Sequence, residues 1–357
     1  MRNDQTGAAA AAGNEDIPDT VPSRSFLAYQ VSAGENRGKE GATALSAAIV
    51  PLTLDDLSPG DVVIRTAYAG INYKDALATI ADGKVIRRFP RVIGSDVSGW
   101  VVASRHAAFR EGDPVAVLGR GFGVDHDGGF AEFVRVPADW VMPLPAGMTL
   151  RDAAVLGIAG YTAALAVHLL EDAGCVPGQG DVLVNGATGG VSSMGIEMLS
   201  RLGHAVTAVS SKPGQAGYLR ELGAREVMVA SDLVDTGRPL ETARWAGALD
   251  ALGGRHLDLL LRCIRPRGCV ASYGNVAGNE LTTNILPFIL RGVRLIGVNL
   301  TYYLDLQTLL WQRLATDIKP VHTLQHARGI PLNALAAQLR RMLDGQSTGR
   351  TVVDFQG

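Results

Sequence analysis

Residues 181–203 read DVLVNGATGGVSSMGIEMLSRLG. The stretch opens on an apolar run, Val182-Leu183-Val184, turns through glycines, and continues with Ile196, Leu199 and Leu202 on one side of a helical repeat. A strand, a glycine-rich turn and a helix in that order open a dinucleotide-binding βαβ unit, where the helix dipole and its first N–H groups receive a pyrophosphate. Set against G-x-G-x-x-G, the three positions fall on Ala187, Gly189 and Ser192, so only the middle glycine is kept. That glycine lets the backbone approach the phosphates, and Ser192 is small enough for close helix–strand packing. Thr188, Gly189, Gly190 and Val191 are the expected cofactor contacts of this loop; the loop alone leaves an ordinary strand–helix turn as the alternative.

Toward the C-terminus, apolar strands alternate with helical stretches at even spacing. The strand candidates are 182–185, 205–209, 226–230, 246–250, 269–273 and 295–299. The helices between them include 193–202, 215–222 and 255–264, with Gly203 and Gly223 as C-terminal caps. Six strands with crossover helices predict an α/β fold, a doubly wound parallel sheet of the Rossmann kind. A long helical pattern over 150–171 precedes it. Between Ser25 and about Pro145 the chain is punctuated by Gly and Pro, with β-rich runs at 62–68, 97–103, 114–118 and 130–136, which predicts an all-β module. The closing stretch holds a helix over 332–343 and a lone strand over 350–355. That strand is expected to pair with the N-terminal module, making it discontinuous. The expected division is a disordered tail at 1–24, a β-rich catalytic domain at 25–148 with 325–357, and a cofactor domain at 149–324.

The 357 residues are 47% hydrophobic and 19% charged, with a formal net charge of −2. That suffices for real cores and gives no electrostatic footprint for nucleic acid or an acidic membrane surface. Cys175, Cys263 and Cys269 are odd in number and lack metal-ligand spacing, so they read as reduced thiols packed as small apolar groups. The acidic residues of the first 24 positions argue against a transit peptide, and the Ala run there is too short for a signal core. With no uninterrupted apolar run of about 18 residues, no membrane span is expected, and the cytoplasm is the expected location.

The cofactor's ribose is read at the end of the second strand, about 20 residues after the glycine-rich loop, by an acid for NAD or by cations for the 2′-phosphate of NADP. Here that strand ends Val209-Ser210-Ser211-Lys212, two hydroxyls and an ammonium without a carboxylate. The expectation is NADPH, bound by Ser210, Ser211 and Lys212; a solvated turn is the alternative.

In domain order and motifs the chain resembles the medium-chain dehydrogenase/reductases, whose β-rich domain is GroES-like. Zinc alcohol dehydrogenases of that superfamily place a Cys ligand before an Asp and a Gly-His-Glu further on. This chain has Asn72-Tyr73-Lys74-Asp75 and Gly94-Ser95-Asp96 at those places and lacks the four-cysteine lobe, so the resemblance implies a zinc-independent member of the quinone-oxidoreductase branch. NYKDALA (72–78), RRFPRVIGSDVSG (87–99), GVDHDGGFAEFVRVPADWVMPLP (123–145), WAGALDALGG (245–254), PFILRGVRLIGV (287–298) and GRTVVD (349–354) are similar to the acrylyl-CoA reductase (NADPH) subgroup. The resemblance runs in order from about Gly60 to Asp354. It implies further cofactor contacts at Ala251, Asn275, Ile289 and Arg350, a homodimer, and reduction of a short enoyl-CoA. A quinone reductase and a non-catalytic NADPH-binding protein on the same fold are the alternatives. Two departures stand out: Ser192 where the subgroup reads GGVG, and Asn299-Leu300-Thr301-Tyr302-Tyr303 after the last sheet strand.

Reducing an α,β-unsaturated thioester needs hydride at the β-carbon, a proton at the α-carbon, and hydrogen bonds to the thioester oxygen. Tyr73 is the candidate contact to nicotinamide or substrate. Asn72 orients the loop or faces the nicotinamide ribose, and Asp75 is expected to pin the loop rather than transfer protons. Lys74 reads as a surface charge. Asp125-His126-Asp127, adjacent on an extended loop ended by Gly128-Gly129, cannot converge on one ion and is expected to form a hydrogen-bonded corner. Lys84, Arg87 and Arg88 suit the phosphates of coenzyme A or form a solvated face.

Overall fold

The computed structural model describes residues 25–37 and 43–357, so the tail expected at 1–24 lies outside the described residues. The N-terminal half is built from strands β1 (Phe26–Arg37), β2 (Thr43–Leu52), β3 (Val62–Gly70), β4 (Arg91–Val92), β5 (Asp96–Ser104), β6 (Pro114–Leu118), β7 (Phe133–Val136) and β8 (Val141–Pro143), with one short helix, α1 (Tyr73–Leu77). Helix α2 (Leu150–Asp172) leads into six strands: β9 (Val182–Val184), β10 (Val206–Ser210), β11 (Glu226–Val229), β12 (Trp245–Asp250), β13 (Ile264–Ser272) and β14 (Arg294–Gly297). Between and after them come α3 (Gly190–Arg201), α4 (Ala216–Glu221), α5 (Gly254–Cys263), α6 (Leu286–Arg291), α7 (Gln307–Ala315) and α8 (Val321–His326). The chain then forms β15 (Arg328–Ile330), α9 (Leu335–Leu343) and β16 (Thr351–Asp354).

The six-stranded sheet has the order β11-β10-β9-β12-β13-β14, all parallel. This is the doubly wound arrangement, and strand order reverses between β9 and β12, where a crevice opens at their carboxyl ends. Helices cover both faces, which is why Val182, Leu183 and Val184 are all inaccessible and the strand reads as an unbroken apolar run. In the β-rich half the sheet order is β15-β16-β3-β5-β6-β8, with β7 also on β3. β16 runs antiparallel to β3 and parallel to β15, so the last strand closes the first domain as its sequence suggested. The hairpin β1–β2 forms a separate three-stranded sheet with β4.

α2 joins the two halves of the molecule. By length and mean hydropathy (1.8) it matches a membrane span, although no uninterrupted apolar run marks it, and 83% of that apolar window is buried. It packs on β3, β5 and β6 on one side and on α3, β12 and β13 on the other, so it is apolar all round because both domains cover it. The helix is broken at Gly157, whose φ of 43° and ψ of −145° no helical residue adopts.

Candidate active site between the two domains

At the end of β9 the chain turns at Gly186 (φ 55°) and enters α3 with Gly189 as N-cap. No side chain caps that helix, which leaves the first-turn N–H groups of Gly190, Val191 and Ser192 for an anion. Ser192 explains its own presence: its hydroxyl donates to the Asn185 carbonyl at 2.9 Å and lies 2.8 Å from the Tyr273 hydroxyl. Burial pushes the Tyr273 phenol well up. Thr188 accepts from the Gly349 N–H at 3.0 Å, tying the loop to the segment before β16.

A polar ladder crosses the carboxyl ends of β9, β12 and β13. Asn185 donates to Asp250 at 2.6 Å and accepts from the Ala251 N–H at 2.7 Å, and Asp250 accepts from the Ser272 hydroxyl at 2.8 Å. It fixes the crevice at the strand-order reversal. Asn185, Asp250, Ser272 and Tyr273 were not singled out from the sequence; polar residues ending otherwise apolar strands were the available signal. A cavity of about 510 Å³ continues from there, lined by Tyr273, Asn275, Asn299 and Tyr302. Asn275 bonds to Asn279 at its rim.

Ser210 ends β10 buried, and its hydroxyl accepts from the Lys212 N–H at 3.0 Å; Ser211 is exposed beside it. The Lys212 ammonium reaches the Ser347 carbonyl at 2.6 Å, and partial burial lowers its pKa. The turn thus sets the exposed Ser211 beside one fixed ammonium, with no carboxylate among residues 210–212.

Across the cleft, Asn72 caps α1 and Tyr73 is its first residue. The Asn72 N–H donates to Asp75 Oδ2 at 2.8 Å, and the Ser95 hydroxyl donates to Asp75 Oδ1 at 2.8 Å. Asn72 Nδ2 donates to Asp96 Oδ2 at 2.8 Å and to Ser95 at 3.2 Å. Asp96 also accepts from the N–H groups of Gly70 (2.8 Å) and Ile158 (2.9 Å). Burial, then the charge of Asp96, pushes Asp75 up to about 7. Tyr73 is half-buried, and among the described residues its hydroxyl has no hydrogen-bond partner.

Two sequence expectations are met here in part or whole, at Asn72 and Asp75, and two change, at Arg350 and Ile289. Asn72 gives its amide nitrogen to Ser95 and Asp96 and accepts from Arg350 on its oxygen, and it is buried, so of its two expected roles the structure favours orienting the loop. Asp75 is buried and pins that same loop, as its sequence position suggested, instead of serving as a catalytic group. Arg350, expected at the cofactor, gives its donors to the carbonyls of Val155 (2.7 Å), Ala154 (3.3 Å) and Ile71 (2.8 Å), while its Cδ and Nη1 lie against Gly190. Ile289 is 65% exposed and joins Ile285 and Leu290 in an apolar patch on α6.

The two segments that carry zinc ligands in the alcohol dehydrogenases do meet, at Asn72 and Ser95. What they offer is an amide NH₂ donating to a hydroxyl and a carboxylate, the reverse of the thiolate and imidazole lone pairs that zinc takes. Zinc does not fit this site. Asp125–His126–Asp127 forms a corner: Asp127 accepts from Ser58 and the Val92 N–H and pairs with Arg91 at 3.2 Å, while His126 bonds to the Pro59 carbonyl. Lys84, Arg87 and Arg88 lie beyond the far end of α1, all exposed.

Two family profiles match, alcohol dehydrogenase GroES-like domain over residues 58–146 and zinc-binding dehydrogenase over 190–316. A putative quinone oxidoreductase of Bacillus subtilis is 40% identical over 320 residues, 89% of this chain and 97% of its own. An acrylyl-CoA reductase of Ruegeria pomeroyi is 39% identical over 332 residues, 92% of this chain and 99% of its own. Among solved structures, an oxidoreductase of Salmonella enterica in complex with NADP superposes with a TM-score of 0.86 at 38% identity, covering 92% of this chain and 100% of that one. A Bacillus subtilis protein with NAD bound gives 0.88 at 38% identity, covering 93% and 100%.

Proposed function

This chain belongs to the zinc-independent, quinone-oxidoreductase-like branch of the medium-chain dehydrogenase/reductases, and we propose that it reduces the carbon–carbon double bond of a short α,β-unsaturated acyl-CoA, acryloyl-CoA to propanoyl-CoA, with NADPH. The observation that carries the substrate is the 39% identity to an acrylyl-CoA reductase over almost the whole of both chains. NADPH supplies the hydride when bound. The chain's part is to hold and orient. First-turn N–H groups of α3 receive the pyrophosphate, and Ser210, Ser211 and Lys212 receive the 2′-phosphate with no carboxylate on that turn to oppose it. The free Tyr73 hydroxyl donates to the thioester oxygen, where negative charge grows as the β-carbon is reduced. Asn72, Asp75, Ser95 and Asp96 hold α1 so that this hydroxyl is in place before substrate arrives.

The equally close putative quinone oxidoreductase favours a second reading, hydride delivery to a quinone. NADPH oxidation measured with acryloyl-CoA, crotonyl-CoA and a simple quinone separates the two: acryloyl-CoA is expected to give the highest kcat/KM. A preference for the quinone selects the second reading, and retained NADPH binding without turnover of any acceptor leaves a non-catalytic binder.

We also assign a homodimer built on the edge of the parallel sheet. β14 is an edge strand, and Leu295 on it is 37% exposed; Ile285, Ile289 and Leu290 just before it in the chain are exposed too (61%, 65% and 63%), an edge that a second copy would pair and cover. Three free cysteines suit a reducing compartment, the cytoplasm.

A further inference from the structure

The loop that follows α1, together with Leu45 of β2, lines a second cavity of about 510 Å³ that is open to solvent and remote in sequence from the cofactor turn. Its apolar lining comes from Leu45, Ala78, Val85, the buried Ile86 and the half-buried ring of Phe89, and the exposed Lys84 and Arg87 line it as well. Arg88 adjoins them, and among the described residues none of the three cations pairs with a carboxylate. Asp82 is the one acid in the lining, so cations outnumber it. Lys84 adopts φ 50° and ψ 30°, a left-handed conformation uncommon for a residue with a side chain and found where local structure imposes it. The volume falls in the range of about 300–1,000 Å³ of small-molecule sites. An aromatic ring, an apolar lining and unpaired cations beside them are what a nucleotide requires: a face for the base and charge for the phosphates.

We propose that this cavity receives the adenosine 3′,5′-bisphosphate end of the acyl-CoA, with Lys84 and Arg87 on its phosphates and Phe89 against its base. The inference rests on the acyl-CoA reading above. It also accounts for the position of the cavity. Tyr73 opens α1 and Ala78 and Ile80, just past its other end, line the cavity. At about 1.5 Å per residue the helix separates the two places by less than about 10 Å, a distance that a pantetheine arm spans.

The test compares acryloyl-CoA with acryloyl-pantetheine, which lacks the nucleotide, in the wild type and in Lys84→Gln/Arg87→Gln. Calorimetric titration of the NADP⁺-saturated protein with adenosine 3′,5′-bisphosphate runs alongside, the cofactor keeping that probe off its own site. For wild type, KM is expected to be at least about tenfold lower for acryloyl-CoA than for acryloyl-pantetheine, the value of one charge-assisted contact. In the double variant that advantage disappears through KM, with kcat retained, and bisphosphate binding is lost. Equal KM values for the two thioesters in the wild type, or an unchanged KM for acryloyl-CoA in the variant, overturn the inference and leave the acyl-CoA reading standing. If the wild type reduces neither thioester, that reading falls by itself. The titration then decides the cavity: binding that the double variant abolishes keeps a nucleotide site, and no binding to the wild type removes it.

Discussion

Asp96 Oδ2 accepts the Ile158 N–H at 2.9 Å, one residue past the point where Gly157 breaks α2. The carboxylate thus caps the helix that restarts at the break, where an anion is favoured. Arg350 takes the carbonyls of Val155 and Ala154, which the same break frees. A Cβ at Gly157 would meet the Asp96 carboxyl at 2.4–2.7 Å. Gly157→Ala is therefore expected to cost at least about 2 kcal/mol in urea unfolding, from backbone strain and a lost cap. Asp96→Asn, which replaces one of two acceptor oxygens serving three donors, is expected to cost about 1–3 kcal/mol for each donor left unpaired. Unchanged midpoints in both variants would show that the helix break is not held by this carboxylate.

Tyr73 separates a chemical role from a packing role. With its hydroxyl on the thioester oxygen, Tyr73→Phe is expected to lower kcat by about 10²-fold with unchanged melting temperature, as for the loss of an oxyanion donor. If the ring only walls the nicotinamide, Tyr73→Phe is neutral and Tyr73→Ala weakens NADPH binding instead. Comparing turnover, NADPH affinity and melting in the two variants distinguishes these outcomes.

Lys212→Ala is expected to weaken NADPH by about 1–3 kcal/mol while sparing NADH, because only the former carries the phosphate that the ammonium meets. Equal losses for the two cofactors, measured by fluorescence titration, would remove Lys212 from the phosphate site.

Asp75 gives a dependence of stability on pH. Its folded pKa, about 7, lies above the ordinary 3.8, so the folded state holds this proton more tightly than the unfolded one. Its contribution is complete below the ordinary value and is lost as pH rises toward about 7, by about 1.4 kcal/mol for each pH unit crossed. Asp75→Asn mimics the protonated acid and is expected to flatten that slope between about pH 4 and 7. A variant with the wild-type slope in pH-dependent unfolding would assign the titration elsewhere.

Because Asn72 faces Ser95 with its NH₂, active protein is expected to carry no stoichiometric zinc and to lose no turnover to a chelator. Elemental analysis before and after chelation checks this, and a zinc requirement for turnover would refute it.

The parallel sheet was legible because its signals are local: apolar triplets such as Val182–Val184, a glycine turn, and a caesura at Gly203. The acid-free turn at Ser210–Lys212 was legible for the same reason. What escaped reading joins distant positions through groups without a sequence signature. The Ile158 N–H is a backbone donor like any other, and Gly157 inside an apolar helical pattern looks like a mild weakness, not a break. Asn72 was expected to orient the loop or face the ribose, and Arg350 was placed at the cofactor by the family resemblance. Only register, which sets β16 beside β3 and places Arg350 under α2, shows that their hydrogen bonds are already spent.

The position of β16 between β15 and β3 bears on how the protein is made. Strands β9 to β14 follow one another along the chain, so the parallel sheet has all its members once the ribosome has passed Gly297. The β-rich sheet lacks an interior member until Asp354 emerges, and Arg350 arrives only then to bind the carbonyls beside the helix break. Until then the edge of β3 is covered by β7 at Val62–Arg65 but open at Tyr68–Gly70, where β16 pairs, and a stop codon even a few residues before 350 leaves that end open.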